Sequence, residues 1–254
     1  MKVLLLQIAR LLSFPWLLIP KTLRYVLISG LLTIESRGRN SSSALKRLFK
    51  IQDFLNLLIN ERAMVYESGI HPKHRLTDYH NFFVDNITNG QSVIDIGCGY
   101  GAVSRTVAQT FPLSQVLGLD INPDSIAIAN SLNTLSNLSF TCSDITNDFS
   151  NRRFDVVILS NVLEHIADRC LFLSSLRLRI NARLYLIRVP LFERDWTMGL
   201  RKELNINYYS DPDHKIEHTI PEFTRELNNS GYSVDIVSTR WGEIWAVCKP
   251  LLQS

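Results

Sequence analysis

Three acids close three successive apolar runs: Asp95 in "SVIDIGCGYG", Asp120 in "VLGLDIN" and Asp144 in "SFTCSDIT". A carboxylate at the carboxyl end of a strand accepts hydrogen bonds from the hydroxyl, amino or ammonium groups of a ligand. Gly97, Gly99 and Gly101 lie between the first two acids, so backbone and ligand would come very close there. Histidines form a second constellation. His71, His74 and His80 precede the glycine loop, His165 follows the "FDVVILS" run, and His214 and His218 sit in a long later segment. Imidazole titrates near neutral pH and can take a proton from a reacting hydroxyl. Loops collect polar side chains for dull reasons too, but the grouping favours a functional edge.

The glycines do not identify the ligand. Gly97, Gly99 and Ala102 satisfy the dinucleotide pattern G-x-G-x-x-A, and Asp120 stands where an acid would take ribose hydroxyls. Asp95 discriminates. Placed at the loop mouth, its carboxylate would meet the pyrophosphate of NAD with like charge. Two unit charges about 4 Å apart repel by roughly 4 kcal/mol at an effective dielectric near 20. S-adenosylmethionine carries a sulfonium and an ammonium there, which an acid welcomes.

The elements that must position these groups alternate. Strands are expected near 92–96, 115–119, 137–142, 154–160, 183–189, 232–240 and 243–249, with helices near 101–111, 123–135, 168–180 and 220–230. That order predicts an α/β fold: a Rossmann-like doubly wound sheet of seven mostly parallel strands, ending in an antiparallel hairpin at "WGE". Three parts are expected: an apolar basic arm over 1–42, a helical extension on the acceptor side over 43–90, and a ligand-binding domain over 91–254 with a long insert at 190–219.

"VIDIGCGYG", "VLGLDINPDSIAIA", "SFTCSDITN" and "FDVVILSNVLEHIAD" together resemble the successive motifs of the class I S-adenosylmethionine-dependent methyltransferases. The resemblance covers about 91–190 and the terminal hairpin. It implies that Asp95, Gly97 and Gly99 line the methionine end and that Asp120 takes the ribose, with Ile96, Cys98, Gly101 and Ile121 also in the cofactor site. Asp144 and Ile145 would hold the adenine, and Asn161, Val162 and Glu164 would lie under the transferring methyl. The long insert and "HPKHRLTDYH" look like methyltransferases of bacterial surface-glycan gene clusters. "NVLEHIAD" resembles ubiquinone-pathway O-methyltransferases.

A hydroxyl acceptor needs a base, and His74 and His165 are the candidates. His71, Lys73, Arg75, Tyr79 and His80, with Arg188, Asp195, Trp196, His214 and His218, are expected to build a basic, aromatic acceptor pocket. Such a pocket suits a glycan, glycolipid or sugar-phosphate, with a quinone-like or lipid ring as the second class. A non-catalytic cofactor-binding module is the third, disfavoured by three intact acids. The His71/His74 and His214/His218 spacings raise a metal, but no cysteine or paired acid supports it strongly, though Asp211, Asp213 and Glu217 lie close, and none is assigned. Four scattered cysteines without a C-x-x-C imply a reducing compartment.

The net charge of +3 gives no case for nucleic acid. The first 34 residues contain four bases and no acid, and their uncharged run Leu11–Pro20 is too short to span a bilayer. This arm suits a membrane surface, or packing on its own domain or a second subunit. The expected location is the cytoplasm, peripheral at the inner membrane face.

Overall fold

The computed structural model describes residues 11–67, 71–148 and 152–251. It separates into two compact units, Met1–Pro72 and Lys73–Ser254. The expected 43–90 extension is thereby divided, its long helix going with the arm.

In the first unit, α1 (Leu11–Leu18) and α2 (Lys21–Glu35) meet at 113°. Pro20 stands at the break, where it lacks the N–H that would continue a helix. α3 (Ser41–Tyr66) follows, capped by Asn40, whose side chain accepts from Ser43 N–H at 3.1 Å. The polar hinge is clamped: Arg47 donates to the Glu35 carboxylate at 2.9 Å and to the Glu35 and Arg37 carbonyls at 2.8 Å. No single helix among the described residues is long and apolar enough to cross a membrane, although α1 and α2 together pass that test as a bent pair. Lys2 and Arg10 of the expected arm lie outside the described residues.

The second unit opens with short helices α4 (Lys73–Thr77) and α5 (His80–Val84). Strands β1 (Ser92–Ile96), β2 (Gln115–Asp120), β3 (Leu138–Cys142), β4 (Arg152–Ser160), β5 (Ile180–Pro190), β6 (Tyr232–Arg240) and β7 (Glu243–Pro250) form one sheet. Its order is β3-β2-β1-β4-β5-β7-β6, parallel except for β7, which pairs antiparallel with both β5 and β6. The order reverses beside β1, so the carboxyl ends of β1 and β4 flank the crevice where such sheets take ligands. Trp241 and Gly242 turn the final hairpin, both with positive φ, as a two-residue turn that matches strand twist requires.

Two hydrophobic cores cover the two sheet faces. Val93, Val116, Val156 and Ile158 pack with Val103 and Val107 of α6 (Ala102–Thr110) and Ile126 of α7 (Pro123–Ser131). Ile94, Leu119, Val157 and Ile187 pack with Leu173 of α9 (Arg169–Arg179) and Phe223 of α11 (Ile220–Asn229). The strand run of β1 therefore alternates within a doubly covered sheet: Ile94 and Ile96 face α9, while Val93 and Asp95 face α6. Two further helices were not expected from sequence: α8 (Ile145–Asp148) and α10 (Trp196–Glu203).

Candidate cofactor and acceptor site

A cavity of about 740 Å³ opens at the carboxyl ends of β1, β2 and β4. Ile96, Gly97, Asp120, Ile121, Asp144, Ile145, Asn161, Val162 and His165 line it, with Leu171 and Phe172 from α9. That size is typical of a small-molecule site. Nine of the residues named from sequence thus converge on one space.

The loop after β1 is held by its own bonds. The N–H groups of Gly97 and Cys98 donate to Leu119 O at 2.7 and 3.0 Å, and Gly101 N–H donates to Cys98 O. Gly99 N–H donates to Asp120 Oδ2 at 2.8 Å, while Asp120 Oδ1 accepts from Asn122 N–H at 2.8 Å. Each carboxylate oxygen keeps a second lone pair for a ligand hydroxyl. Gly97 has φ +71, and an added Cβ would stand 2.6 Å from Val162 Cγ2. Only glycine fits there.

Asp95 corrects the expectation of an open carboxylate at the mouth. It is 1 % exposed, does not line the cavity, and accepts from Ser104 Oγ at 2.5 Å and from Ser104 N–H. Burial pushes its pKa up to about 7, against the lowering effect of those two bonds. Ser104 lies in the first turn of α6, so the protein's own carboxylate fills the helix N-terminus where a phosphate would dock. With the loop amides of 97, 98, 99 and 101 also engaged, a pyrophosphate finds few donors, whereas a cofactor bound through hydroxyl, amino and ammonium groups finds Asp120 and Asp144. The site fits S-adenosylmethionine, by a different route from the one the sequence suggested. Cys98 turns from the cavity toward the α6-side core, and burial raises its thiol pKa far out of the physiological range. Gly101, at φ +75, caps α6 beneath Phe140, 2.3 Å from where its Cβ would be.

Asp144 Oδ1 accepts from Thr146 N–H at 2.8 Å and Thr146 Oγ1 at 2.7 Å, which fixes the carboxylate at the start of α8. Asn161 holds φ +57 at the end of β4. Its N–H donates to Arg188 O and its Oδ1 accepts from Arg188 Nε.

The expected acceptor residues divide. Arg188 is buried, paired with Glu243 at 3.1 Å, and its guanidinium lies 3.7 Å from the Tyr79 ring centroid. It is a structural cation rather than part of an open roof. Tyr79 OH meets His74 Nδ1 at 2.9 Å, and the His80 ring packs on Tyr79. His80 Nδ1 meets Thr106 Oγ1 at 2.7 Å, and burial lowers its pKa to about 4. His74 does not line the cavity; His165 does. Lys73 and Arg75 are exposed on α4. His71 belongs to the first unit, where its ring meets Asn60 at 3.3 Å. Asp195 caps α10, accepting from Thr197 N–H at 2.7 Å, and Trp196 is 77 % exposed.

The His214/His218 pairing also fails. His218 is fully buried against Glu226 at 3.1 Å, while His214 packs against His165, ring centroids 4.7 Å apart. Close to His165 and His214 lies Glu164, 0 % exposed, a residue the resemblance had named only for its place under the methyl. The four-residue spacing misled because 214–218 is not helical.

A family model described as a methyltransferase domain matches residues 87–220. Among curated proteins, the chain is 32% identical over 95 residues to N-methyltransferase 4 of Papaver somniferum, covering 35% of this chain and 27% of that one. It is 31% identical over 104 residues to the ubiquinone biosynthesis O-methyltransferase of Idiomarina loihiensis, covering 38% and 42%. The chain thus spans less than half the length of these relatives. Among solved structures, magnesium protoporphyrin IX methyltransferase from Synechocystis, with bound S-adenosylhomocysteine, aligns with TM-score 0.55 at 19% identity, over 70% of this chain and 83% of that one.

Proposed function

Because this chain belongs to the class I S-adenosylmethionine-dependent methyltransferases, we propose that it methylates a hydroxyl group of a small acceptor, with a glycan, glycolipid or sugar-phosphate as the acceptor class. The observation that carries this reading is the meeting of Asp120, Asp144 and His165 on one cavity beside the left-handed Gly97. When bound, S-adenosylmethionine supplies a methyl group already activated by its sulfonium. The protein's work is then alignment and exclusion of water. Asp120 and Ile121 would hold the ribose, Asp144 and Ile145 the adenine, and Asn161 and Val162 the methionine end with Ile96, Gly97 and Gly99. His165 is exposed on the cavity rim and is suited to take the acceptor proton. His74, engaged with Tyr79, has weaker support for that role.

The glycan class draws support from Trp196, an exposed ring on which a sugar can stack, and from the exposed Lys73 and Arg75. A quinone-like or lipid acceptor is the second reading. It is favoured by Leu171, an apolar side chain on the cavity that remains largely exposed. Incubation with methyl-labelled cofactor and a panel of both classes tests the pair. Label on a sugar hydroxyl supports the first, and label only on a phenolic or lipid oxygen overturns it in favour of the second. Transfer to nitrogen alone would remove both.

The arm is proposed to lie on an anionic membrane surface. Leu11, Phe14, Leu17 and Leu18 of α1 and Val26, Leu31 and Ile34 of α2 are exposed, with Lys21 and Arg24 as the charges before Glu35 among the described residues. Apolar area plus basic charge is what an interfacial helix needs. Sedimentation with anionic but not zwitterionic vesicles is expected; equal recovery with neither would remove the idea.

A further inference from the structure

We propose that Glu164, His165 and His214 form a binding site for a divalent transition metal of the zinc class, set at the rim of the cofactor cavity. The three residues come from two distant segments: the turn after β4, and the loop between α10 and α11. Their ligand atoms all lie within 4.8 Å of one another. Donors around a tetrahedral zinc with bonds near 2.1 Å are roughly 3.4 Å apart, so side-chain movements of about 1 Å would close the shell.

Glu164 points independently to a missing partner. It is fully buried, and among the described residues neither carboxylate oxygen has a hydrogen-bond partner beyond a weak approach to the residue's own backbone N–H. Burial without partners is costly for a carboxyl group, so most are paired. Arg188, Glu243 and Asp211 are the charged groups that act on it, and only Arg188 favours its ionised form. The result is a carboxyl whose pKa is pushed up to about 8.

His214 is built like a metal ligand. Its Nδ1 meets Glu217 Oε1 at 3.4 Å, and Glu217 is itself fully buried and paired with Arg194. A carboxylate behind one ring nitrogen selects the tautomer whose other nitrogen carries a free lone pair. Burial and the neighbouring His165 lower the pKa of His214 to about 4, so the ring is neutral at physiological pH and needs no deprotonation to ligate. His165, the third ligand, also lines the cavity.

Two histidines and one glutamate leave at least one coordination position open, as in sites that act on a substrate. On the methyl-transfer reading, with the metal bound that position would take the acceptor oxygen and favour its loss of a proton, and His165 would then serve as a ligand rather than as the base. The site itself does not depend on that reading.

The test uses the full chain, stripped with a chelator and then dialysed against Zn²⁺, with neither cofactor nor acceptor present. Stoichiometric zinc uptake is expected. Glu164→Gln and His214→Ala should each lower zinc affinity at least about tenfold, while circular dichroism and a cooperative thermal transition verify that each variant is folded. If either variant fails to fold, His165→Ala, at an exposed position, gives the same readout. Absence of zinc uptake, or uptake that the folded variants leave unchanged, overturns the site. Because no methyl transfer is measured, a failure here is distinct from a failure of the proposed activity.

Discussion

Asn161 and Arg188 hold each other twice. Asn161 N–H donates to Arg188 O at 2.8 Å, and Arg188 Nε donates to Asn161 Oδ1 at 2.9 Å. The pair fixes a left-handed residue on the cavity wall from a strand on the other side of β4. Arg188→Ala should therefore weaken cofactor binding without removing any cavity-lining side chain. It should also cost stability, about 1–3 kcal/mol, by removing the cation beside Glu243 and the donor to Asn161 Oδ1, although Glu243 still accepts from Trp245 Nε1. Calorimetric titration with cofactor and a denaturation curve check the two parts; unchanged cofactor affinity would break the link.

Gly97→Ala should abolish cofactor binding while leaving most of the sheet intact. The new methyl would collide with Val162, and φ +71 costs a non-glycine residue about 1–2 kcal/mol. Adding Val162→Ala relieves the collision but not the backbone conformation, so the double variant should recover only part of the affinity. Full recovery would show that space alone mattered.

Asp120→Ala should weaken S-adenosylmethionine binding by about 1–3 kcal/mol, the worth of hydrogen bonds to a charged acceptor. Asp120 also accepts from Gly99 N–H and Asn122 N–H, so Asp120→Asn should lose less. Equal losses in both variants would assign the residue to charge rather than to bonding.

The stability of the metal-free chain should depend on Glu164 in a defined direction. Its folded pKa, about 8, lies above the ordinary value of 4.5. Between these values the folded chain keeps a proton that the unfolded chain has lost. Its stabilising contribution is thus present below about pH 4.5 and lost as pH rises toward 8. Arg188, Glu243, Asp211, His165 and His214 are the charged and titratable groups around it. Glu164→Gln should raise the melting temperature near pH 8 more than near pH 5. A pH-independent difference would contradict this assignment.

His165→Ala should lower turnover with little change in cofactor affinity, and His74→Ala should do so more weakly. His165 lines the cavity, whereas His74 meets Tyr79 outside its lining. Steady-state rates at saturating cofactor separate the two; a larger effect at His74 would move the acceptor to the α4–α5 side.

Much of this architecture was legible because apolar periodicity depends on local residues. All seven strands lie where alternation put them, and Asp120, Asp144, Asn161 and His165 could be placed at strand ends by counting. Side-chain direction was less legible. Asp95 ends a strand covered on both faces, and only the neighbouring Ser104 reveals which face claims it. His214 and His218 looked paired by their spacing alone, in a stretch where the chain is irregular. Arg188 looked available because its partners, Glu243 and Tyr79, are 55 and 109 residues away in sequence. Long-range pairing of this kind leaves no local trace.

The position of β7 bears on the order in which the protein becomes competent. This last strand slots between β5 and β6, bringing Glu243 to Arg188. A ribosome delivers the glycine loop and all three strand-end acids well before that clamp exists. Nascent chains halted short of Glu243 should therefore retain cofactor poorly on an affinity resin, and competence should arrive once β7 has been made rather than with the motifs that advertise it.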